Sequence, residues 1–453
     1  MTDWGGGQSK ADLSMHAGND LIMPGGTSKA NTILNGYNSG TITKGDMQKS
    51  VINILNIILQ SNNMGSVHGV EIGNYGDQFD DLKDYVDVEK GDILGGGYTM
   101  TQMPEENGGW WKVENKGGAT LGVMDPDIII EKDGYAFKDL NGNGEVDVYE
   151  DWRLDTEARA QDLAETMVAD GEEGIAAIAG LMLYSSHQSV PSEELTDAQK
   201  TFLDEDNLRA VLITSVESPE IAAKWNNNAQ AFVEGLGYGI PINTSSDPRH
   251  GASGKSDLEY IAGQGGTISL WPDSIGLAAT FDPDIVERFG DIASQEYRAL
   301  GIATALSPQI DLATEPRWSR VSGTFGENVE LDIDMARAYV DGFQTTYGSL
   351  NPWGEHSVNA MVKHWPSGGP EEGGRDAHFA YGKFAVYPGD NLQEHIRPFV
   401  EGAFDLNNGT GYAAAVMPYY TISYNQDPEG GNVGNAYSKY IVTDLLREKY
   451  GYD

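Results

Sequence analysis

Short apolar runs alternate with longer stretches of helical period along most of the chain. The runs Asn19–Pro24, Arg209–Ser215, Gly239–Asp247, Ala303–Leu312, Asn359–Pro366 and Ala413–Tyr420 predict strands. Helical spacing marks Asp46–Gln60, Ile221–Leu236, Pro283–Leu300, Val329–Gly342, Leu392–Phe404 and Ala436–Tyr450. In the first of these, Met47, Val51, Leu55 and Ile58 share one face, and Thr43 with Asp46 predicts a reciprocal cap at its start. Repeated strand–helix alternation predicts a parallel α/β fold. No short dinucleotide fingerprint opens the first unit, so a (β/α)₈ TIM-type barrel is the preferred form.

Polar residues gather just after the apolar runs: Asp247 and His250, then Arg317, Lys363 and His364, Tyr420, and near the start Asp3. In a parallel barrel the carboxyl ends of all strands face one rim, so these side chains can converge. Any one of them could equally cap a helix or satisfy a loop; as a set they predict a pocket.

Composition narrows the partners. Acidic residues outnumber basic ones 69 to 29, a formal charge of −40, which repels phosphate backbones and anionic lipids. Nucleic acid and membrane surfaces are therefore not expected partners, and no run reaches the roughly 18 apolar residues of a spanning helix. With no cysteine, thiolate metal sites, disulfides and cysteine nucleophiles are excluded. The opening residues carry no basic region and no apolar segment, so either the protein is not secreted by a cleavable signal or the natural N-terminus is not this one. The 57 glycines and 31 Trp and Tyr residues suit a protein that handles carbohydrate. Residues 64–123 are Gly-rich and without clear period, and predict a linker or small irregular module. Within them Trp110-Trp111 could form a sugar platform or pack on the body.

One local pattern predicts a metal. Asp139, Asn141, Asn143, Asp147 and Glu150 fall at positions 1, 3, 5, 9 and 12 of a calcium loop, with Gly144 at the turn and Glu145 offering its carbonyl. Calcium takes six to eight hard oxygens, which this spacing wraps around one centre. The competing reading is a metal-free Asx-rich turn that enters the helix at Glu157–Met167.

Several longer motifs, taken in order, resemble glycoside hydrolase family 3, the β-glucosidase-like enzymes. They are SSDPRHG at 245–251, EPRWSR with GEN at 315–328, KHWPSGGPEEGGRDAHF at 363–379, VMPYY at 416–420, and MTDWGG with GNDLIMPGG at 1–26. KDLNGNGEVDVYEDWR and GLMLYSSH are also typical of that family's start. The resemblance covers everything except 64–123, but in rotated order: the TDW and MPG motifs, which in the family follow the segment ending here in LLREKYGYD, come first. It therefore implies a circularly permuted barrel. Residues 1–63 would supply its C-terminal part, strands 7–8 and their helices; residues 64–123 the linker; and residues 124–453 the N-terminal part. The family's α/β sandwich domain, which donates the acid/base glutamate, is not recognisable.

The resemblance implies an exo-acting retaining β-glycosidase, most closely a β-glucosidase. Such an enzyme needs a carboxylate to attack the anomeric carbon and an acid about 5–5.5 Å away to protonate the leaving oxygen. It assigns the nucleophile to Asp3 and stacking on the sugar beyond the scissile bond to Trp4. The grip on the terminal sugar falls to Asp247, Arg317, Lys363 and His364, with Met417 and Tyr420 lining the pocket. For the acid, the β-N-acetylglucosaminidase branch of the family uses an Asp–His dyad, here Asp376 and His378. A homodimer or a partner segment bringing the acid/base carboxyl is the other source. A catalytically impaired carbohydrate-binding barrel is the alternative from another class. No cofactor is needed for catalysis, and calcium would be structural. The substrate would be a β-glucoside or β-glucan oligosaccharide, in the bacterial exterior or periplasm.

Overall fold

The computed structural model describes residue 1 and residues 10–60, 97–105, 108–251, 268–349 and 351–452. Helices α1 (Ala11–His16), α2 (Thr27–Ser39) and α3 (Lys44–Gln60) come first. The start of α3 is fixed as its sequence predicts. The Asp46 N–H donates to Thr43 Oγ1 at 3.1 Å, and the Thr43 N–H to Asp46 Oδ2 at 2.8 Å. Met47, Val51, Leu55 and Ile58 are buried on its inner face, in one core with α4 (Thr156–Ala169) and α5 (Glu172–Leu181).

Where an irregular module was expected, the described part is a regular antiparallel sheet of β1 (Tyr98–Gln102), β2 (Trp111–Asn115) and β3 (Thr120–Val123). The hairpin of β4 (Ile129–Lys132) and β5 (Tyr135–Lys138) joins it. Val113, Leu121 and Val123 share a small core with Phe137 and Trp152, so packing runs across position 123 without a break. Four- and five-residue strands set among glycine-rich turns show too little of their period to be read. Gly118 is a glycine that the packing requires, because a Cβ there would lie 2.2 Å from Trp152. Residues 64–96 lie outside the described residues.

The rest of the chain alternates strands and helices: β6 (Gln188–Val190), α6 (Asp197–Asp204), β7 (Ala210–Val216), α7 (Pro219–Glu234), β8 (Asn243–Ser246), α8 (Ser274–Ala278), α9 (Pro283–Ala299), β9 (Thr304–Ala305), α10 (Val329–Gln344) and β10 (Asn359–Trp365). After these come β11 (Phe384–Ala385), α11 (Leu392–Arg397), β12 (Ala415–Pro418) and β13 (Ile422–Ser423). One parallel sheet runs β6-β7-β8-β9-β10-β12. Ser218 and Asn328 cap α7 and α10 by accepting backbone N–H bonds, as short polar residues do at helix starts. The predicted Leu392–Phe404 helix is α11 followed by a π-wound turn, Pro398–Ala403, and the last helix, Tyr440–Lys449, is π-wound throughout.

Beyond β7 the sheet continues through parallel bridges, Tyr184 to Ala210 and Leu183 to Ile22. The predicted strand at Asn19–Pro24 is reduced to that bridge. On the other edge, the Met1 amino group donates to the Val416 carbonyl of β12 at 3.2 Å. Met23, Tyr184, Leu212, Leu306, Met361 and Met417 fill the interior enclosed by these strands. The architecture is α/β, a TIM-type barrel, whose strand ends present their loops to one rim. Among the described residues no helix is long and apolar enough to cross a membrane.

Candidate active site

Asp247 follows β8, and Lys363 lies near the carboxyl end of β10. Both are nearly buried, and Lys363 Nζ donates to Asp247 Oδ1 at 3.1 Å. Burial makes this pairing necessary, since an unpaired charge so enclosed would cost several kcal/mol. The pair sets an ammonium and a carboxylate oxygen side by side at the rim, which suits gripping vicinal hydroxyls.

The next residue, His364, is fully enclosed. Its Nδ1 lies 2.7 Å from Asp311 Oδ2, and its backbone N–H donates to Asp311 Oδ1 at 3.1 Å. Burial, with the charges of Arg320 and Lys363, holds the ring well below the usual histidine range. A neutral imidazole therefore donates from Nδ1 to the Asp311 carboxylate, which fixes the ring's orientation. Burial pushes Asp311 up to about 6, against the His364 and Gly368 N–H donors and the charges of Arg320 and Lys363. A side chain at Gly368 would meet the Asp311 carboxyl at 2.8 Å, so the close approach of this loop depends on glycine. His250, also expected at the rim, turns aside to Glu296 at 2.7 Å.

Arg317 does not join the cluster. Its side chain is 71% exposed and forks onto Glu315 at 2.8 and 2.6 Å, satisfied by a carboxylate two residues away. The guanidinium that enters is Arg320, three residues on and buried. It sits 5.9 Å from the Tyr419 ring centroid, and its charge acts on Asp311, His364, Glu371 and Asp376. Sequence reading missed Arg320, Asp311, Glu371 and Tyr419. The available signals were the second arginine of EPRWSR and the charged residue closing the apolar run PQID.

Asp376 and His378 are brought together. His378 Nδ1 lies 2.5 Å from Asp376 Oδ1, the His378 backbone N–H donates to the same oxygen at 2.9 Å, and Ser319 Oγ donates to Oδ2 at 3.2 Å. Burial opposes ionisation of Asp376. The His378 donors and charge, together with Arg320, outweigh it and bring the group down to about 2. The His378 ring rests on Tyr420, centroids 4.8 Å apart, so Tyr420 stands at the rim beside the dyad. Met417 is buried in the barrel interior beneath. Asp3 and Trp4 lie outside the described residues.

Glu371 supports the same loop from below, accepting the Ala377 N–H at 3.1 Å, with the buried Tyr419 hydroxyl beside it. Burial pushes its carboxyl up to about 9; the Asp376 charge adds to this, while Tyr419, the Ala377 N–H and Arg320 oppose it. The folded chain thus keeps a proton that the unfolded chain releases near 4.5, and stability falls as pH rises through that window. The slope is at most about 1.4 kcal/mol per pH unit. Glu371→Gln, which keeps the acceptor and removes the titration, should flatten the decline of Tm between pH 5 and 9 relative to wild type. Parallel Tm profiles for the two proteins would show that Glu371 is ionised in the fold.

In the predicted calcium loop, Asp139 accepts the N–H groups of Asn143 and Gly144 at 3.0 and 2.9 Å. Asp147 accepts the Asn141 and Asn143 carboxamides at 2.7 and 2.8 Å. Glu150 caps the Leu140 and Asp147 N–H groups. The Glu145 N–H donates to Asn143 Oδ1 at 2.8 Å. The loop is closed by its own hydrogen bonds, and among the described residues no group of three His, Asp or Glu is poised around a common centre.

A sequence profile of the glycosyl hydrolase family 3 N terminal domain matches residues 178–453. A periplasmic beta-glucosidase/beta-xylosidase of Dickeya chrysanthemi is 40% identical over 335 residues, 72% of this chain and 48% of that protein. Beta-glucosidase C of Emericella nidulans is 45% identical over 242 residues, 53% of this chain and 37% of that protein. The chain thus spans about half the length, or less, of these curated relatives. Among solved structures, a glycoside hydrolase family 3 beta-N-acetylglucosaminidase from Paenibacillus superposes with a TM-score of 0.47 at 21% identity, covering 59% of this chain and 46% of the other.

Proposed function

Because the chain belongs to glycosyl hydrolase family 3, we propose that it is an exo-acting, retaining β-glycosidase cleaving terminal β-D-glucosyl residues. The observation that carries this is the cluster at the barrel rim. Lys363 paired with Asp247, a neutral His364 oriented by Asp311, and buried Arg320 bring an ammonium, a carboxylate, an imidazole and a guanidinium to one end of the barrel. Hydrogen bonds from such groups strengthen as the ring approaches the oxocarbenium-like transition state. Asp3 is proposed as the nucleophile, with Trp4 stacking on the leaving sugar. The relative from Dickeya chrysanthemi, named for both glucosidase and xylosidase action and for the periplasm, supports a glucoside or xyloside substrate and that compartment. The test is hydrolysis of aryl β-glucosides and β-xylosides followed by NMR. β-Configured sugar as first product is expected; an α first product, or none, would overturn the proposal in favour of an inverting enzyme or a binding barrel.

The Asp376–His378 contact favours a second assignment, His378 as the acid/base. Asp376 takes Nδ1, so Nε2 would deliver the proton to the leaving oxygen. His378→Ala should then lose activity on poor leaving groups more than on aryl glycosides. Equal activity on both would move the acid to a carboxyl from a partner segment or second copy.

The rotated strand order is part of the same proposal. Met1 on the open edge of β12, the Ile22 bridge to Leu183, and Met1 and Tyr452 lining one cavity all support it. So is a structural calcium in the Asp139–Glu150 loop, which would turn the Asn141 and Asn143 carboxamide oxygens inward beside Asp139, Asp147 and the Glu145 carbonyl. An ion that binds only the folded chain adds about 2.7 kcal/mol at a hundredfold excess over Kd. Millimolar calcium should therefore raise Tm over chelator, and Asp139→Ala should cancel the rise. Identical melting in both conditions would leave the self-closed turn.

A further inference from the structure

A cavity bounded by described residues lies away from the rim just described and shares none of its residues. It has a volume of 390 Å³ and opens between the small β-sheet and helix α7, beside Gly239 and Pro241, which lead into the start of β8. Asp247 follows the other end of that strand, so the cavity sits at the amino end of the barrel, where catalytic groups of this architecture do not gather. Its size falls in the range of small-molecule sites.

Its walls are of two kinds. On the sheet side, Trp110 lines the cavity with its ring laid over Gly122, where an added Cβ would be 3.4 Å from two ring carbons. Its neighbour Trp111 is the packed member of the pair, paired with Val123 and set against the small core. The Trp110 indole N–H makes no hydrogen bond among the described residues. On the helix side stands Asn227, exposed, its side-chain carboxamide without a hydrogen bond among the described residues. The floor holds Arg159, 1% exposed, whose Nε donates to the Tyr149 carbonyl at 2.9 Å while Nη1 has no hydrogen-bond partner among the described residues.

The two lysines of the walls are already matched. Lys138 is paired with Glu234, and Lys224 lies 2.9 Å from Glu220 and 3.6 Å from Glu193. The lining holds four carboxylates, Glu105, Glu150, Glu193 and Glu234, against the three cations Lys138, Arg159 and Lys224, and the chain's charge of −40 repels anions at long range. An aromatic face, a free carboxamide and a buried guanidinium short of one acceptor suit a neutral ligand with one apolar face and many hydroxyls. We propose that this cavity is a second, non-catalytic site for a neutral β-linked glycan, with a pyranose ring stacked on Trp110 and hydroxyls bonded to Asn227. The choice of glycan rests on the glycosidase reading; the cavity chemistry does not.

The test is affinity gel electrophoresis of the full chain in gels cast with mixed-linkage β-glucan or xylan, with dextran and polygalacturonate as controls. Wild type should be retarded by at least one of the two β-glycans and by neither control. Trp110→Ala and Asn227→Ala should each weaken retardation at least fivefold while kcat/KM on an aryl β-glucoside stays within twofold. Should Trp110→Ala melt early, Asn227→Ala decides alone, because an exposed helix position carries little stability. Retardation unchanged in Asn227→Ala, or no retardation of wild type by either β-glycan, overturns the proposal. Retardation of a wild-type chain that hydrolyses neither aryl β-glucosides nor β-xylosides would count against the glycosidase reading and leave this one standing.

Discussion

Replacing Asp3 with asparagine should lower turnover of aryl β-glucosides by about 10⁴-fold or more, with Tm little changed. The carboxamide is nearly isosteric but cannot form the glycosyl ester, so the loss lies in bond formation and not in packing. The stereochemistry of rescue makes the assignment specific. With Asp3→Gly and added azide, the anion attacks the anomeric carbon from the vacated face, the aryloxide departs, and the product is the α-glycosyl azide. If His378 is the acid/base, azide added to His378→Ala should instead capture the glycosyl-enzyme and give the β-azide. Wild-type rates in Asp3→Asn, or a β-azide from Asp3→Gly, would remove Asp3 from the reaction.

The strands that frame the site were legible because a buried parallel strand is a short, nearly continuous apolar run. Ala210–Val216 and Asn359–Trp365 read that way and form within a residue or two of their predicted limits. β9 did not, since only Thr304–Ala305 pair regularly within the predicted run Ala303–Leu312, and the rest is a loop returning through a single bridge from Gln309 to Lys363. The sheet at residues 98–123 was hidden for another reason. Its strands are only four or five residues long and set among glycine-rich turns, Gly117-Gly118 between β2 and β3 among them, so the alternation was too brief to announce it. Lys363, His364 and Asp247 were found because each stands at the close of an apolar run. Asp311 stands at such a place too, but its role depends on His364 across the sheet, a pairing that no local pattern carries. Asp376 and His378 were named as a dyad through the resemblance to the β-N-acetylglucosaminidase branch, and the turn that joins them lets the His378 ring and backbone N–H both reach Asp376.

The two arginines of EPRWSR separate most sharply by experiment. Both are cationic, three residues apart, and indistinguishable by composition, yet one is satisfied in solvent by Glu315 and the other is enclosed with Asp311, Glu371, Asp376 and Tyr419. Arg317→Met should therefore leave kcat/KM within about twofold, because an exposed ion pair is worth less than about 1 kcal/mol. Arg320→Met removes a buried charge that adds to the His378 hydrogen bonds and charge in holding Asp376 ionised, and that opposes protonation of Asp311. It should cost about 10²–10³-fold in kcat/KM, the scale of a lost preorganised donor. It should also lower stability, because carboxylates left without their cation pay desolvation unmatched. The two effects are separable by pH. Without Arg320 the Asp376 carboxyl should titrate higher, so the acid limb of the kcat/KM profile should move up in Arg320→Met and stay in place in Arg317→Met. A larger loss from Arg317→Met than from Arg320→Met would return the pocket to the arginine the sequence first suggested.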